Sequence, residues 1–193
     1  MQTLVTPLRL FLLSPANTSG KRAARWCDPA FVHPQALALR DGGLPVGDAF
    51  SHLSTLYFRG KIAYARRFAA HDADVLVIAP GFGLVPPSWS VTLERLEAMR
   101  ATRVDLEDSS YTAPMVEHCA ALAGRLPASA EIVLLGSLAT GKYLDLLTPA
   151  FGDRLRVPRA FVGAGEMQRG SLLLRAVRAG EEREYVRLPA VRG

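Results

Sequence analysis

The sequence predicts an α/β fold of three layers, with helices on both faces of a central, mostly parallel sheet. Three observations carry that expectation. Runs dominated by apolar residues at 8–13, 74–79 and 131–135 have the length of strands covered on both faces. Segments with helical spacing separate them, and strands alternating with helices favour parallel pairing through crossovers. Each run ends in a loop rich in Gly, Pro, Ser or Thr, the position at which such sheets bind ligands.

In chain order, strand 8–13 leads into a polar loop at 14–20. A basic helix follows from Lys21 and stops before Asp28-Pro29, because a residue preceding proline avoids the helical region. Residues 35–40 form a short helix ended by Gly42-Gly43. Phe50, Leu53 and Tyr57 lead to a helix in which Ile62, Ala65 and Phe68 share one face and Arg59, Arg66 and Arg67 the other. Strand 74–79 runs into a turn-rich loop at 80–87. Helices are expected at 92–100, through Leu93, Leu96 and Met99, and at 115–126, ahead of strand 131–135. Loop 136–141, a helix at 142–147 ending before Pro149, a strand at 156–162, a helix at 168–177 and a short strand at 184–188 complete the order.

The chain has 193 residues, 49% hydrophobic and 21% charged, which suits a single domain over 1–193 and excludes an extended disordered chain. Its longest uninterrupted apolar stretches, 10–13 and 75–79, fall short of the roughly 18–20 residues of a membrane span. Residues 1–13 lack a basic leader and a cleavage site, so no signal peptide is expected. Cys27 and Cys119 stand far apart with no CxxC pair, which points away from a disulfide framework or zinc site and towards a reduced, cytoplasmic setting. Lys plus Arg number 23 against 18 Asp plus Glu, for a net charge of +5, which favours anionic partners.

Lysine occurs only at Lys21, Lys61 and Lys142, each beside a glycine. The first loop offers Ser14, Asn17, Thr18 and Lys21, either as a cradle for phosphate or nucleobase or, through Thr18 or Ser19, as a helix cap. The loop at 136–142 satisfies GxxxxGK, but Tyr143 replaces the Ser or Thr that would hold magnesium. Thr140, Lys142 and Tyr143 are therefore read as an anion site rather than an ATPase loop, the alternative being a plain strand-to-helix turn capped by Thr140 with Lys142 exposed. Arg169, at a helix start after Gly163-Ala164-Gly165, is either an anion contact or an exposed ion-pairing residue. Residues 54–61 interleave aromatic and basic side chains, so Tyr57, Arg59 and Lys61 are candidates for stacking and phosphate contact on nucleic acid, with Phe58 in the core. His33, His52, His71 and His118 are scattered and no serine sits in GxSxG, so no hydrolase triad is indicated. Asp105, Glu107 and Asp108 read as a solvated loop, and no residue set points to a metal or a particular cofactor.

Four short patches in collinear order resemble the YaaA family of peroxide-stress proteins. Ser14-Pro15-Ala16-Asn17-Thr18 is similar to that family's SPAKT, with Asn17 at its lysine position. Residues 83–87 and 93–99 look like its GLLRPLD and RLEM segments, with Pro86 for an arginine. Residues 137–143 resemble its NLASxEY, and Met167-Gln168-Arg169-Gly170 its C-terminal ARG. The resemblance implies an α/β/α core and binding to DNA, in a family described as protecting DNA from oxidation. A wider similarity reaches uracil-DNA-glycosylase-like folds and the lysine-transferring domain of archaeosine synthase, although the glycosylase GQDPYH loop is absent here.

Three functions are thereby in competition. The first is a cytoplasmic YaaA-like protein that binds nucleic acid or a nucleotide through a basic strand-end pocket, in stress protection. The second is an enzyme acting on a nucleoside, nucleobase or tRNA. The third is a non-catalytic interaction module, marked by an exposed apolar patch around Phe82, Val85 and Trp89.

Overall fold

Strand β1 (Arg9–Leu13) lies in the middle of the sheet because both of its faces are apolar. Leu10 and Leu12 enter one core, Phe11 and Leu13 the other, and all four are buried. Each such side chain contributes roughly 1.5–3 kcal/mol when taken out of water. In the computed structural model, which describes residues 7–54, 56–138 and 141–187, β1 pairs in parallel with β3 (Val75–Ala79) on one side and β6 (Glu131–Leu135) on the other. Strand β7 (Leu155–Pro158) adds in parallel to β6, while β4 (Gly83–Val85) and β8 (Tyr185–Val186) close the two edges antiparallel. The order is β4-β3-β1-β6-β7-β8, and β2 (Leu44–Pro45) with β5 (Ser90–Val91) forms a separate antiparallel ladder.

Helices cover both faces. On the side of Phe11 and Leu13 lie α1 (Lys21–Cys27), α2 (Pro34–Asp41), α3 (Val46–Leu53), α4 (Leu56–Phe68), α5 (Leu93–Ala101) and α8 (Glu166–Ala179). On the side of Leu10 and Leu12 lie α6 (Ser109–Arg125) and α7 (Leu144–Phe151). The mixed α/β architecture with a mostly parallel sheet is therefore the one expected. Among the described residues no helix is long and apolar enough to cross a membrane.

Several boundaries differ, each for a physical reason. Residues 83–85, read as loop, form edge strand β4: Gly83 takes φ +72°, open to glycine, and the Leu84 N–H meets His118 Nδ1 at 3.0 Å. Helix α6 begins at Ser109, well before the expected 115, because the Asp108 carboxylate caps it by accepting from the Ser110 N–H at 2.9 Å. The helix then passes through Pro114, whose missing donor removes one intrahelical bond, while Tyr111, Met115, Cys119 and Leu122 stay buried. Helix α7 likewise runs through Pro149 and ends in buried Phe151. Strand β7 stops at Pro158 instead of 162, giving way to a 3-10 turn over Arg159–Phe161. The patch at 82–89 is not an exposed apolar surface: Val85 is buried, and Phe82 and Trp89 pack partly buried against the core, their rings 5.0 Å apart.

Candidate functional site

The strand order reverses at β1, whose neighbours β3 and β6 are reached in opposite directions, and ligands bind at the carboxyl ends of strands where this occurs. Ser14 follows β1 directly, and its N–H extends the ladder by donating to the Leu135 carbonyl at 3.1 Å. A cleft of about 880 Å³ opens over this point. The four polar side chains buried in the described residues are Ser14, Thr18, Lys61 and Arg169, and the first three line the cleft.

Helix α4 supplies Tyr57 and Lys61 to the floor, one turn apart on one face. It is held close by glycine: a Cβ on Gly170 of α8 would sit 2.9 Å from the Tyr57 Cα, and one on Gly60 would sit 2.8 Å from the Gly170 carbonyl oxygen. Lys61 is 1% exposed. Its Nζ donates to the Ser14 carbonyl at 2.5 Å and to the Ser14 Oγ at 2.8 Å, and stands 4.5 Å from the Tyr57 ring centroid. Among the described residues no carboxylate pairs with it. Burial penalises the ammonium and pushes Lys61 down to about 7, against a smaller upward pull from the charge of Glu166.

Two tyrosines complete the floor. Tyr143 lines the cleft with Ser14, and burial, with Tyr57 and Glu166 adding to it, raises its pKa. Burial pushes Tyr57 up to about 12, opposed by the neighbouring Arg169 guanidinium. The Tyr57 hydroxyl faces that guanidinium without a well-formed hydrogen bond, and Arg169 Nε has no acceptor. Arg169 thus sits behind the cleft wall, its guanidinium 5.7 Å from the Phe161 ring centroid, and does not line the cleft itself.

The rim is cationic. Lys21, Arg22, Arg100, Arg103 and Lys142 line it, against the acids Asp105 and Glu166. Arg100 Nη1 donates to the carbonyls of Thr18 and Gly20 at 3.1 and 3.4 Å, and the Thr18 hydroxyl donates to the Met99 carbonyl at 3.2 Å, so the first loop is tied to α5. Arg103 pairs with Asp105 at 3.4 Å, and Arg22 donates to the His52 carbonyl at 3.1 Å. Lys21 and Lys142 have no hydrogen-bonded or ion-paired partner for their ammonium groups among the described residues. Lys142 Nζ stands 5.5 Å from the Tyr143 ring centroid.

The cleft therefore brings together Ser14, Asn17, Thr18, Lys21, Tyr57, Lys61, Lys142 and Tyr143 from the expected set. Thr140 lies outside the described residues. Arg59 is turned away: it is exposed on the far side of α4, and its Nε donates to the Ser51 carbonyl at 3.0 Å. Tyr57 and Lys61 are floor residues rather than an exposed stacking platform. The capping alternative for the first loop does not hold, because α1 has Gly20 as its N-cap and no side chain caps it. Sequence reasoning missed Arg100 and Glu166, which carry no motif. Among the described residues no group of three His, Cys, Asp or Glu is placed to hold a metal ion.

Comparison with family models, with curated proteins and with solved structures gives no match to this chain.

Proposed function

We propose that the cleft binds an anionic ligand of nucleotide size, either a free nucleotide or a single nucleotide displaced from a nucleic-acid strand. The observation that carries this reading is a cleft of about 880 Å³ whose rim holds Lys21 and Lys142, neither with a partner for its ammonium group among the described residues. Its volume lies within the range of about 300–1,000 Å³ common for small-molecule sites. Cations lacking an internal acceptor favour phosphate, and a walled cleft favours one nucleotide over a duplex laid flat. The resemblance to YaaA proteins adds, within the same proposal, a cytoplasmic role in protecting nucleic acid under stress.

The test is a fluorescence titration of nucleoside monophosphates, single-stranded DNA, duplex DNA and tRNA at two salt concentrations. The expected result is saturable binding of a mononucleotide, weakened at least tenfold by Lys21→Ala with Lys142→Ala while the melting temperature stays within a few degrees. Binding that is unchanged by the double substitution overturns the proposal. A second reading, catalysis on a nucleoside, nucleobase or tRNA, is favoured by one observation: the Lys61 Nζ lies 2.8 Å from the Ser14 Oγ on the cleft floor, with Tyr143 lining the same cleft.

A further inference from the structure

Lys61 makes an expensive contact if its role is only to pin a loop. A buried ammonium without a carboxylate partner costs several kcal/mol, and an apolar side chain would fill the same space without that cost. The lysine is not sealed in the core but lines an open cleft, and its Nζ lies 2.8 Å from a serine Oγ that lines the same cleft. Serine is a weak nucleophile until a neighbouring base takes its proton, and a desolvated lysine is one of the groups that does so.

We propose that Ser14 is the nucleophile and Lys61 the general base of an acyl-transfer site, acting on an ester or amide of an anionic, nucleotide-sized molecule. The choice of substrate class rests on the cleft reading above; the dyad itself rests on the Ser14–Lys61 geometry. Lys61 as the free amine takes the Ser14 hydroxyl proton while Oγ forms a bond to the acyl carbon. The tetrahedral intermediate expels its alcohol or amine, which leaves with the proton now on Lys61. Water then attacks the acyl-serine and gives a proton to Lys61; the second intermediate breaks its bond to Oγ, which takes that proton back from Lys61, so that a carboxylic acid leaves and Ser14 and the free amine are restored.

The groups that face Lys61 are Tyr57 on its own helix, Tyr143 at the start of α7 and Glu166 at the start of α8. Both phenols are pushed upward by burial and are neutral at pH 7, so the lysine is the group that titrates there.

The experiment treats the whole protein with a small, neutral, serine-reactive fluorophosphonate and maps the modified peptide by mass spectrometry. Expected is modification at Ser14, rising roughly tenfold from pH 6 to pH 8 as a base with a pKa near 7 loses its proton. Ser14→Ala abolishes the label, Lys61→Met reduces it at least a hundredfold, and Lys61→Arg does not restore it. Arg59→Ala, on the outer face of α4 and outside the cleft, leaves labelling intact. A wild-type protein that stays unlabelled at Ser14, or labels no faster than Lys61→Met, overturns the dyad, even if nucleotides bind. Labelling that mononucleotides do not slow overturns the substrate class while leaving the dyad in place.

Discussion

The two ends of the central sheet handle charge in opposite ways. At the amino ends, Arg9 of β1 donates to Glu131 of β6 at 3.0 Å and to Glu182 at 2.8 Å, and Arg156 of β7 donates to the other Glu131 oxygen at 3.2 Å. Each of these four charges is paired across strands or with the segment following α8. At the carboxyl ends, Lys61 is buried against a serine, and Lys21 and Lys142 have no acid partner among the described residues. Charge neutralised inside the chain supports architecture; charge left unbalanced at the crevice is available to a ligand.

The largest effect expected from breaking this contrast comes from Lys61→Met. The drop in the lysine from 10.5 to about 7 corresponds to roughly 5 kcal/mol of charge burial. Losing two hydrogen bonds to Ser14 offsets about 2 kcal/mol of that. The variant should therefore be roughly 3 kcal/mol more stable than wild type in urea at pH 6. The unfolded chain keeps this proton up to about pH 10.5, whereas the folded chain releases it near 7. Wild-type stability rises between those values and the advantage of the variant shrinks across that window. An advantage that does not change with pH would show the lysine to be as well solvated in the fold as in the unfolded chain.

Gly170→Ala comes next. Its Cβ meets the α4 backbone, so a loss of about 1–3 kcal/mol is expected, together with weaker ligand binding as Tyr57 and Lys61 shift. Full retention of both in melting and titration would mean that α4 and α8 separate freely. Glu131→Gln sharpens the contrast from the other end. It replaces the carboxylate shared by Arg9 and Arg156 with a neutral amide that keeps one acceptor oxygen, and should cost roughly 1–2 kcal/mol in chemical denaturation, discounted for partial exposure, without altering ligand affinity beyond twofold. A drop in affinity would link the two ends. The smallest effect belongs to Arg59→Ala, with stability changed by less than about 0.5 kcal/mol and affinity unaltered. Measurable loss of nucleotide binding in this variant would return the outer face of α4 to the site.

Strands β1, β3 and β6 were legible in the sequence because burial on both faces leaves a continuous apolar run. The loops after β1 and β6 were legible as a site because strand ends converge whatever their motif. Edge strand β4 was not, since three residues within a Gly- and Pro-rich stretch carry no pattern, and the Leu84 N–H is satisfied by His118 from a helix distant in sequence. The Pro residues inside α6 and α7 hid the true extent of those helices, where tertiary burial outweighs one lost bond. Residues 57–61 show their chemistry in the sequence but not their exposure. Helical spacing puts Lys61 one turn from Tyr57 and beside Phe58 and Ile62 on the buried side, while Arg59 falls opposite. The Ser14–Lys61 contact spans 47 positions and has no local signal.

Arg100 holds the carbonyls of Thr18 and Gly20, and Thr18 in turn holds α5 through the Met99 carbonyl. The loop over the cleft is consequently braced before any guest arrives. Little conformational entropy remains to be lost on association, so encounter should be followed by capture without a slow rearrangement. Cutting the brace at Arg100 would leave the chemistry of the floor intact while making its doorway a moving one.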